Sequence, residues 1–184
     1  GFDIDFPVSS AAKLPWDNAS MDICLIPELL EHVEDWESCL NEASRVLKPG
    51  GVLYLSTTNK LCPKQQEYYL PIYSWYPGFL KRFCEKLVVT RFPIIANYAS
   101  FPAIHWFTFY QLRDYLADRG LHSLDRFDAM DLAVKSPRER KIVAGIKAFS
   151  LLRFLAHIAT PATLVFAINT RDAVGEHPLA NRSV

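Results

Sequence analysis

The sequence predicts an α/β domain with a parallel sheet, and one stretch from Met21 to Asn59 carries most of that prediction. Met21 to Ile26 is a short apolar run, which is typical of a strand covered on both faces of a parallel sheet. Val52 to Thr57 is a second run of this kind. The residues between the two runs have helical periodicity. The stretch is therefore a strand–helix–strand unit, whose crossover is right-handed almost without exception.

Asp35 is expected to cap the helix that joins the two strands. The apolar residues that follow lie on one side at helical spacing: Trp36, Cys39, Leu40, Ala43, Val46 and Leu47. Lys48 suits the negative end of the helix, and Pro49 to Gly51 ends it. Ligands of such sheets bind at the carboxyl ends of the strands. Those ends are Pro27-Glu28 and Thr58-Asn59.

Short motifs follow one another in and around this unit: Leu14-Pro15-Trp16, Met21-Asp22, Leu30 to Val33, Arg45 to Gly51 and Ser56 to Asn59. In this order and spacing they closely resemble the second half of class I S-adenosylmethionine-dependent methyltransferases, above all the branch with ubiquinone-biosynthesis O-methyltransferases. The resemblance is strong over residues 8 to 59 and looser over 105 to 128 and 162 to 170. It implies a Rossmann-like sheet with an antiparallel last strand, and methyl transfer from S-adenosylmethionine to a small molecule.

Length and composition indicate one domain of 184 residues with no formal net charge. No overall field therefore favours nucleic acid, and no nucleic-acid partner is expected. The four cysteines are widely spaced, with no CxxC motif and no expected metal site. Cys24 and Cys39 fall at predicted core positions, as in a reducing compartment, so a cytoplasmic location is expected. No signal peptide is recognised.

The beginning of the chain departs from the family pattern. It starts at Gly1 without Met, on an alternating strand from Phe2 to Val8, and its glycines form no GxGxxG. We therefore expect a partial methyltransferase domain, truncated before its cofactor loop, that binds S-adenosylmethionine weakly by itself. Alternatively, Gly1 to Asp5 is the acidic strand end that holds the ribose hydroxyls, but the distance to Leu14 is short for the intervening helix.

The resemblance places the cofactor beside five residues: Ser10, Ala11, Ile26, Pro27 and Glu28. Family members have an Asp-Ala pair close to the adenine, and the matching pair here is Ser10-Ala11. Serine still accepts a hydrogen bond, but without a charge. The other three residues are expected beside the methionine end of the cofactor. An ordinary polar turn is the alternative interpretation of Ser10.

Glu28, Glu31, His32, Glu34 and Asp35 form an acidic group around one imidazole. His32 is the candidate catalytic residue, because histidine titrates near neutral pH and can act as a general base. In the alternative, His32 packs on the sheet edge and donates to a backbone carbonyl, while Glu31 and Glu34 lie in a solvated turn. For the group as a whole we favour a position that faces the cofactor, because it lies at a strand end. For His32 we favour the alternative, since proximity supplies much of the rate in many such enzymes.

Residues 60 to 104 form an insert that is rich in aromatic residues and proline. Its prolines forbid one long helix, but a short helix from Pro77 to Leu87 fits. Because the insert follows a strand end, it is expected to form a lid over a hydrophobic or aromatic small-molecule acceptor. A second small core without a ligand role is an equal alternative. A platform for single-stranded nucleic acid is disfavoured by the zero net charge.

The next helix is predicted from a capping box at Thr108 and Gln111, and it ends at Gly120. Its apolar face consists of Phe109, Leu112, Tyr115 and Leu116. A strand from Leu121 to Asp128 is expected to follow. His105 and Trp106 precede the helix, and core packing is the expected role of the tryptophan.

Residues 130 to 160 are predicted as a helical insert, with a second capping box at Ser136 to Glu139 and a helix that continues to about His157. Charged residues and Pro161 interrupt its apolar run, so a membrane-spanning helix is rejected. A surface helix that touches a membrane or a partner chain stays open. Thr163 to Asn169 is the antiparallel last strand, expected at the sheet edge, and residues 171 to 184 are expected to form a flexible tail.

The sequence thus predicts a methyltransferase whose cofactor is S-adenosylmethionine and whose acceptor is a small molecule. The alternative is a non-catalytic, degenerate methyltransferase-like module that serves as a binding or assembly surface. Neither the acceptor nor the accepting atom follows from the sequence.

Overall fold

The computed structural model describes residues 7–64, 70–96 and 103–171, which form a mixed four-stranded sheet with helices packed against it. The strands are β1 (Met21–Pro27), β2 (Leu47–Thr58), β3 (Leu121–Asp125) and β4 (Ala162–Asn169), in the order β1-β2-β4-β3. The helices are α1 (Trp36–Val46), α2 (Gly78–Arg91), α3 (Phe109–Ala117), α4 (Pro137–Ala148) and α5 (Ser150–Ile158). The predicted strand from Phe2 to Val8 and the predicted tail fall largely outside the described residues.

The strand–helix–strand unit is confirmed. β1 and β2 pair in parallel, and α1 connects them. The Asp35 carboxylate accepts a hydrogen bond from the Ser38 N–H at 3.0 Å, which caps the helix as predicted. Leu40 and Ala43 of the α1 apolar face pack with sheet residues in the main core. The helix therefore packs on the sheet through the apolar face that its helical periodicity predicted.

The last strand is antiparallel, as predicted, but its expected position at the sheet edge is wrong. β4 lies between β2 and β3, and it pairs with β2 over seven residues, from Val52↔Ile168 to Thr58↔Ala162. The Asn169 side chain also donates to the Leu47 carbonyl at 2.9 Å. The longer ladder with β2 keeps β4 inside the sheet, and the five-residue β3 takes the edge.

Two predicted elements are shorter than expected. The helix after Ser136 does not continue to His157, because Phe149 is extended (φ −119°, ψ 116°) and separates α4 from α5. The predicted strand to Asp128 ends at Asp125, whose carboxylate accepts the N–H groups of Phe127 and Asp128 and so closes a turn. The capping box at Ser136 and Glu139 is confirmed.

The first strand is covered on one face only by the described residues, whereas its apolar sequence indicated cover on both. Cys24 and Ile26 face the main core. Ile23 and Leu25 point to the other side and are 64% and 65% exposed. β1 lies at an edge of the described sheet, so fewer neighbours reach it.

The insert contains a second, smaller core, as one of the two interpretations predicted. Tyr73, Val88, Ala103 and Trp106 are buried together, and Tyr76 packs against them. Tyr73 and Trp106 meet edge to face, with ring centroids 5.4 Å apart. Trp106 is therefore a core residue, as expected. Whether the insert also covers a ligand stays a prediction.

All four cysteines are free, and burial raises the pKa of the Cys24 and Cys39 thiols. Thiols of this kind are unreactive core residues. The cytoplasmic location expected from them stays a prediction. Within the described ranges, no helix is both long enough and apolar enough to cross a membrane.

Candidate functional site at the carboxyl ends of β1 and β2

The candidate site lies where β1 and β2 end side by side. Pro27 pairs with Ser56 in the parallel ladder, so the residues that follow both strands meet at one edge. Glu28 adopts a left-handed backbone (φ 47°), and its N–H donates to the Ser56 carbonyl at 2.9 Å. The Ser56 hydroxyl in turn donates to the Glu28 carboxylate at 2.5 Å. This backbone conformation is uncommon for a residue other than glycine.

Glu31 is the buried carboxylate of this edge. It is fully buried, and the Thr57 hydroxyl donates to its Oε2 at 2.7 Å. Its Oε1 has no hydrogen-bond partner among the described residues. Burial, opposed by the Thr57 hydrogen bond and assisted by the nearby Glu28, raises the pKa of Glu31 to about 7. The carboxyl group therefore exchanges its proton near neutral pH.

The interpretation of Glu31 as part of a solvated turn is wrong. Its carbonyl accepts the N–H groups of Ile104 and His105, at 2.7 and 3.1 Å, so the end of the insert covers this residue. Glu31 lies three residues after Glu28, and a tight turn brings both carboxylates back to the end of β2. The acidic spacing gave a signal for this pair, but its burial depends on a segment more than seventy residues later.

His32, the predicted catalytic residue, follows directly. Its side chain is exposed, and its N–H donates to the Leu29 carbonyl at 3.0 Å, which tightens the same turn. The imidazole is thus accessible at the edge of the site, while the Glu31 carboxylate lies beneath the surface. A catalytic role for His32 stays a prediction.

An apolar cavity of about 260 Å³ lies beside β1, and two of the five predicted cofactor residues line it. Ala11 and Ile26 line it, together with Leu14, Trp16, Met21, Ile23, Cys24, Leu25, Leu29, Cys39, Ala43 and Val46. Ser10, Pro27 and Glu28 are exposed. The Ser10 hydroxyl accepts the Ala12 N–H at 3.2 Å, as expected of a polar turn, and keeps its own proton available. Cofactor binding by these five residues stays a prediction.

Arg45 holds the loop that forms one side of the cavity. Its guanidinium donates to the Leu14 and Trp16 carbonyls, at 3.2 and 2.9 Å, and to the Glu42 carboxylate. Glu42 accepts the Leu14 N–H at 2.8 Å. The hydrogen bond from Arg45 lowers the pKa of Glu42 to about 2. The sequence showed Arg45 only as part of a motif, because its role depends on a loop some thirty residues earlier.

A second polar cluster, which the sequence did not reveal, supports the far side of the β2 end. The Asp125 carboxylate is buried and accepts from the Arg153 guanidinium at 2.7 Å, and it lies 3.0 Å from the His157 Nε2. The Asn59 side chain donates to the His157 and Thr160 carbonyls, each at 2.7 Å. Across the described ranges, no group of three or more His, Cys, Asp or Glu side chains is arranged to hold a metal ion.

The fold and site together define a class of protein. A βαβ unit that continues into an antiparallel strand, with polar residues converging at the carboxyl ends of its parallel strands, is a Rossmann-like α/β domain with its candidate site at that edge. Residues 1–55 match the family model described as a methyltransferase domain. Over these residues the chain is therefore similar to part of a methyltransferase domain, as its motifs predicted.

Curated relatives match the same kind of short segment. The chain is 36% identical over 58 residues to a probable S-adenosylmethionine-dependent methyltransferase of Mycolicibacterium smegmatis, which covers 32% of this chain and 23% of the relative. It is 33% identical over 60 residues to the ubiquinone biosynthesis O-methyltransferase of Brucella anthropi, which covers 33% of this chain and 24% of the relative. The matched segment spans about a quarter of the length of these relatives.

Solved structures of methyltransferases resemble a larger part of the chain. An S-adenosylmethionine-dependent methyltransferase from Mesorhizobium loti covers 87% of this chain, at 17% identity and a TM-score of 0.49, and 67% of its own chain is matched.

Proposed function

We propose that this chain forms the acceptor half of an S-adenosylmethionine-dependent methyltransferase that methylates a small hydrophobic or aromatic molecule. The observation that carries the proposal is the meeting of two carboxylates with the end of β2, where Glu28 bonds to Ser56 and Glu31 bonds to Thr57. The methyltransferase match over residues 1–55 and the relatives described above support the choice of reaction.

The residues present fit the cofactor. Ala11 and Ile26 offer an apolar cavity for a flat ring, while the exposed Ser10 and Glu28 offer polar groups near it. When bound, S-adenosylmethionine supplies a methyl group that its sulfonium charge activates. The Glu28 carboxylate suits an amino group or a positive charge, and its hydrogen bond from Ser56 fixes its orientation.

Glu31 supplies the proton chemistry in this proposal. A hydroxyl or amine that receives a methyl group must lose a proton, and a general base near the accepting atom takes it. Glu31 has a pKa of about 7 and an Oε1 with no hydrogen-bond partner among the described residues, so it has both the basicity and the vacant acceptor. The exposed His32 is the second candidate for this step. Either group acts on an acceptor placed over the end of β2.

Among the described insert residues, Trp75 is placed to contact that acceptor. Its indole N–H donates to the carbonyl of Lys60, at 3.0 Å, and Lys60 follows Asn59 at the end of β2. Trp75 is 55% exposed, whereas Tyr76 packs against the second core. The insert therefore presents an indole face at the site edge, which suits an apolar or aromatic acceptor.

Replacing Trp75 by alanine is expected to raise the KM for the acceptor about tenfold to a hundredfold, since an aromatic contact of this size contributes about 1.5–3 kcal/mol. The affinity for S-adenosylmethionine should not change, because the two ligands use different walls. The measurement is methyl transfer from radiolabelled cofactor to phenols and anilines that carry alkyl chains of increasing length.

Phe79→Ala is the matched control, because Phe79 is an equally apolar ring on α2 and is 70% exposed. It should leave the KM unchanged. Equal effects of the two substitutions, or an unchanged KM in Trp75→Ala with every acceptor, would remove Trp75 from the acceptor wall. If the unsubstituted protein methylates none of these phenols and anilines, a non-catalytic binding module would be favoured.

A further inference from the structure

The polar side of helix α5 faces the sheet, and its apolar side faces the solvent. Arg153 and His157, one turn apart, face the sheet. On the opposite side, Leu151 is 66% exposed and Leu155 is 50% exposed. Phe149, Leu152 and Phe154 are exposed as well. A surface helix of a globular protein normally has the reverse arrangement.

The inward contacts prevent the helix from rotating to bury its leucines. Asp125, which is buried, holds both Arg153 and His157. The His157 ring stacks on Phe109, with centroids 5.2 Å apart and planes 9° apart. The Asn59 amide also holds the His157 carbonyl at 2.7 Å. Rotation of α5 would leave the buried Asp125 carboxylate without its partners, which is costly. These contacts therefore keep the apolar side of α5 exposed.

Charge is segregated to the same region. The whole chain has equal numbers of acidic and basic residues. Between residues 135 and 158, however, Glu139 is the one acidic residue, and the basic residues are Lys135, Arg138, Arg140, Lys141, Lys147 and Arg153. The carboxylate of Glu139 is already bonded to the Ser136 N–H in the capping box. Lys147 pairs with Asp128, and Arg153 pairs with Asp125 and Asp128. Among the described residues this leaves four basic residues without an ion pair, in and just before the first turns of α4: Lys135, Arg138, Arg140 and Lys141.

We infer that α4 and α5 dock the protein on a membrane surface that contains anionic lipid. Leu and Phe side chains inserted at the headgroup boundary, next to Lys and Arg that meet anionic headgroups, are the two features of an interfacial helix. Such a helix lies in the plane of the surface and needs no spanning length, which agrees with the lack of a spanning helix among the described residues. This surface does not depend on the proposed reaction.

If the protein docks through α4 and α5, its candidate site opens towards the lipid. This consequence rests on the proposed function. Asn59 at the end of β2 holds the last turn of α5, so the docking helix lies beside the candidate site. A docked protein would draw its apolar acceptor directly from the bilayer.

The test is flotation of the protein, at its natural length, with vesicles of phosphatidylcholine alone or mixed with phosphatidylglycerol. We expect binding to the mixed vesicles only, weakened by added salt. Leu151→Ser combined with Leu155→Ser should lower the partition coefficient about tenfold or more, since two exposed leucines leave the lipid. Arg140→Gln combined with Lys141→Gln should also lower it about tenfold.

Phe79→Ser is the matched control, because it removes an equally exposed apolar side chain from α2 and should leave vesicle binding unchanged. Equal partitioning of the leucine variant and the unsubstituted protein would overturn the inference. A protein that ignores both vesicles but dissociates into smaller particles when the leucines are replaced would also overturn it, in favour of an interface between copies. Vesicle binding is read without any acceptor, so its failure is distinct from failure of the proposed reaction.

Discussion

Replacing Glu31 by glutamine is expected to stabilise the protein at pH 8 while reducing methyl transfer about 10²–10⁴-fold. Stabilisation follows because burial raises the pKa of Glu31 to about 7, so the folded state bears the cost of an ionised, buried carboxylate above that pH. Loss of activity follows because glutamine cannot accept the proton. Opposite effects on stability and turnover are typical of a residue retained for function.

The pH dependence has a definite sign. Between about pH 4.5 and pH 7 the unfolded chain loses the Glu31 proton first, so this residue lowers the stability of the native protein as the pH rises. The glutamine variant should therefore gain about 3 kcal/mol over the unsubstituted protein above pH 7 and lose that advantage near pH 4.5. Denaturant unfolding at several pH values measures the difference.

His32→Gln is the companion variant, since it removes the other candidate base from an exposed position. We expect it to slow turnover only modestly and not to stabilise the protein at pH 8. A large loss of turnover in His32→Gln, with Glu31→Gln active, would assign the proton transfer to the histidine instead. Equal stability of the Glu31→Gln and unsubstituted proteins at pH 8 would contradict the raised pKa.

Replacing Asp125 by alanine is expected to destabilise the protein by about 3–5 kcal/mol, the usual cost of removing one partner from a buried ion pair. The carboxylate holds Arg153, contacts His157 and closes the turn at Phe127. Burial by itself raises the pKa of Asp125, but the hydrogen bonds from His157 and Arg153 outweigh burial and lower it. Its contribution should therefore persist above pH 4 and be lost in stronger acid. Thermal and denaturant unfolding measure this effect.

Asp128→Asn is the matched control, because Asp128 contacts the same guanidinium from a partly exposed position. Its cost should be about 1 kcal/mol or less. Similar losses of stability in the two variants would mean that the burial of Asp125 does not increase its contribution to stability. Proteolysis at α5 should accelerate in Asp125→Ala, since the helix loses its main attachment.

The part of the fold with local signals was predictable from the sequence. Asp35 as a cap, the apolar stripe of α1 and the capping box at Ser136 are patterns within a few residues of one another, and all three are confirmed. The position of β4 was not predictable in this way. It depends on a choice between β2 and the sheet edge, which pairing length and the Asn169 hydrogen bonds decide.

The candidate site was predictable in its place but not in its chemistry. The predicted strand ends indicated Pro27 and Glu28 as site residues, and in the structure both lie beside Ser56. A solvated turn was the alternative interpretation of Glu31, because no local pattern indicates its burial. The N–H groups of residues 104 and 105 bond to the Glu31 carbonyl, and only the folded chain brings that segment to the turn.

Binding of S-adenosylmethionine by the protein at its natural length tests the central claim most directly. Isothermal titration should give saturable binding for the unsubstituted protein. Ala11→Trp, which fills the cavity beside β1, should weaken it about tenfold or more, whereas Ala117→Trp on the exposed end of α3 should not. Absence of binding, or binding that Ala11→Trp leaves intact, would contradict a cofactor site at this edge of the sheet.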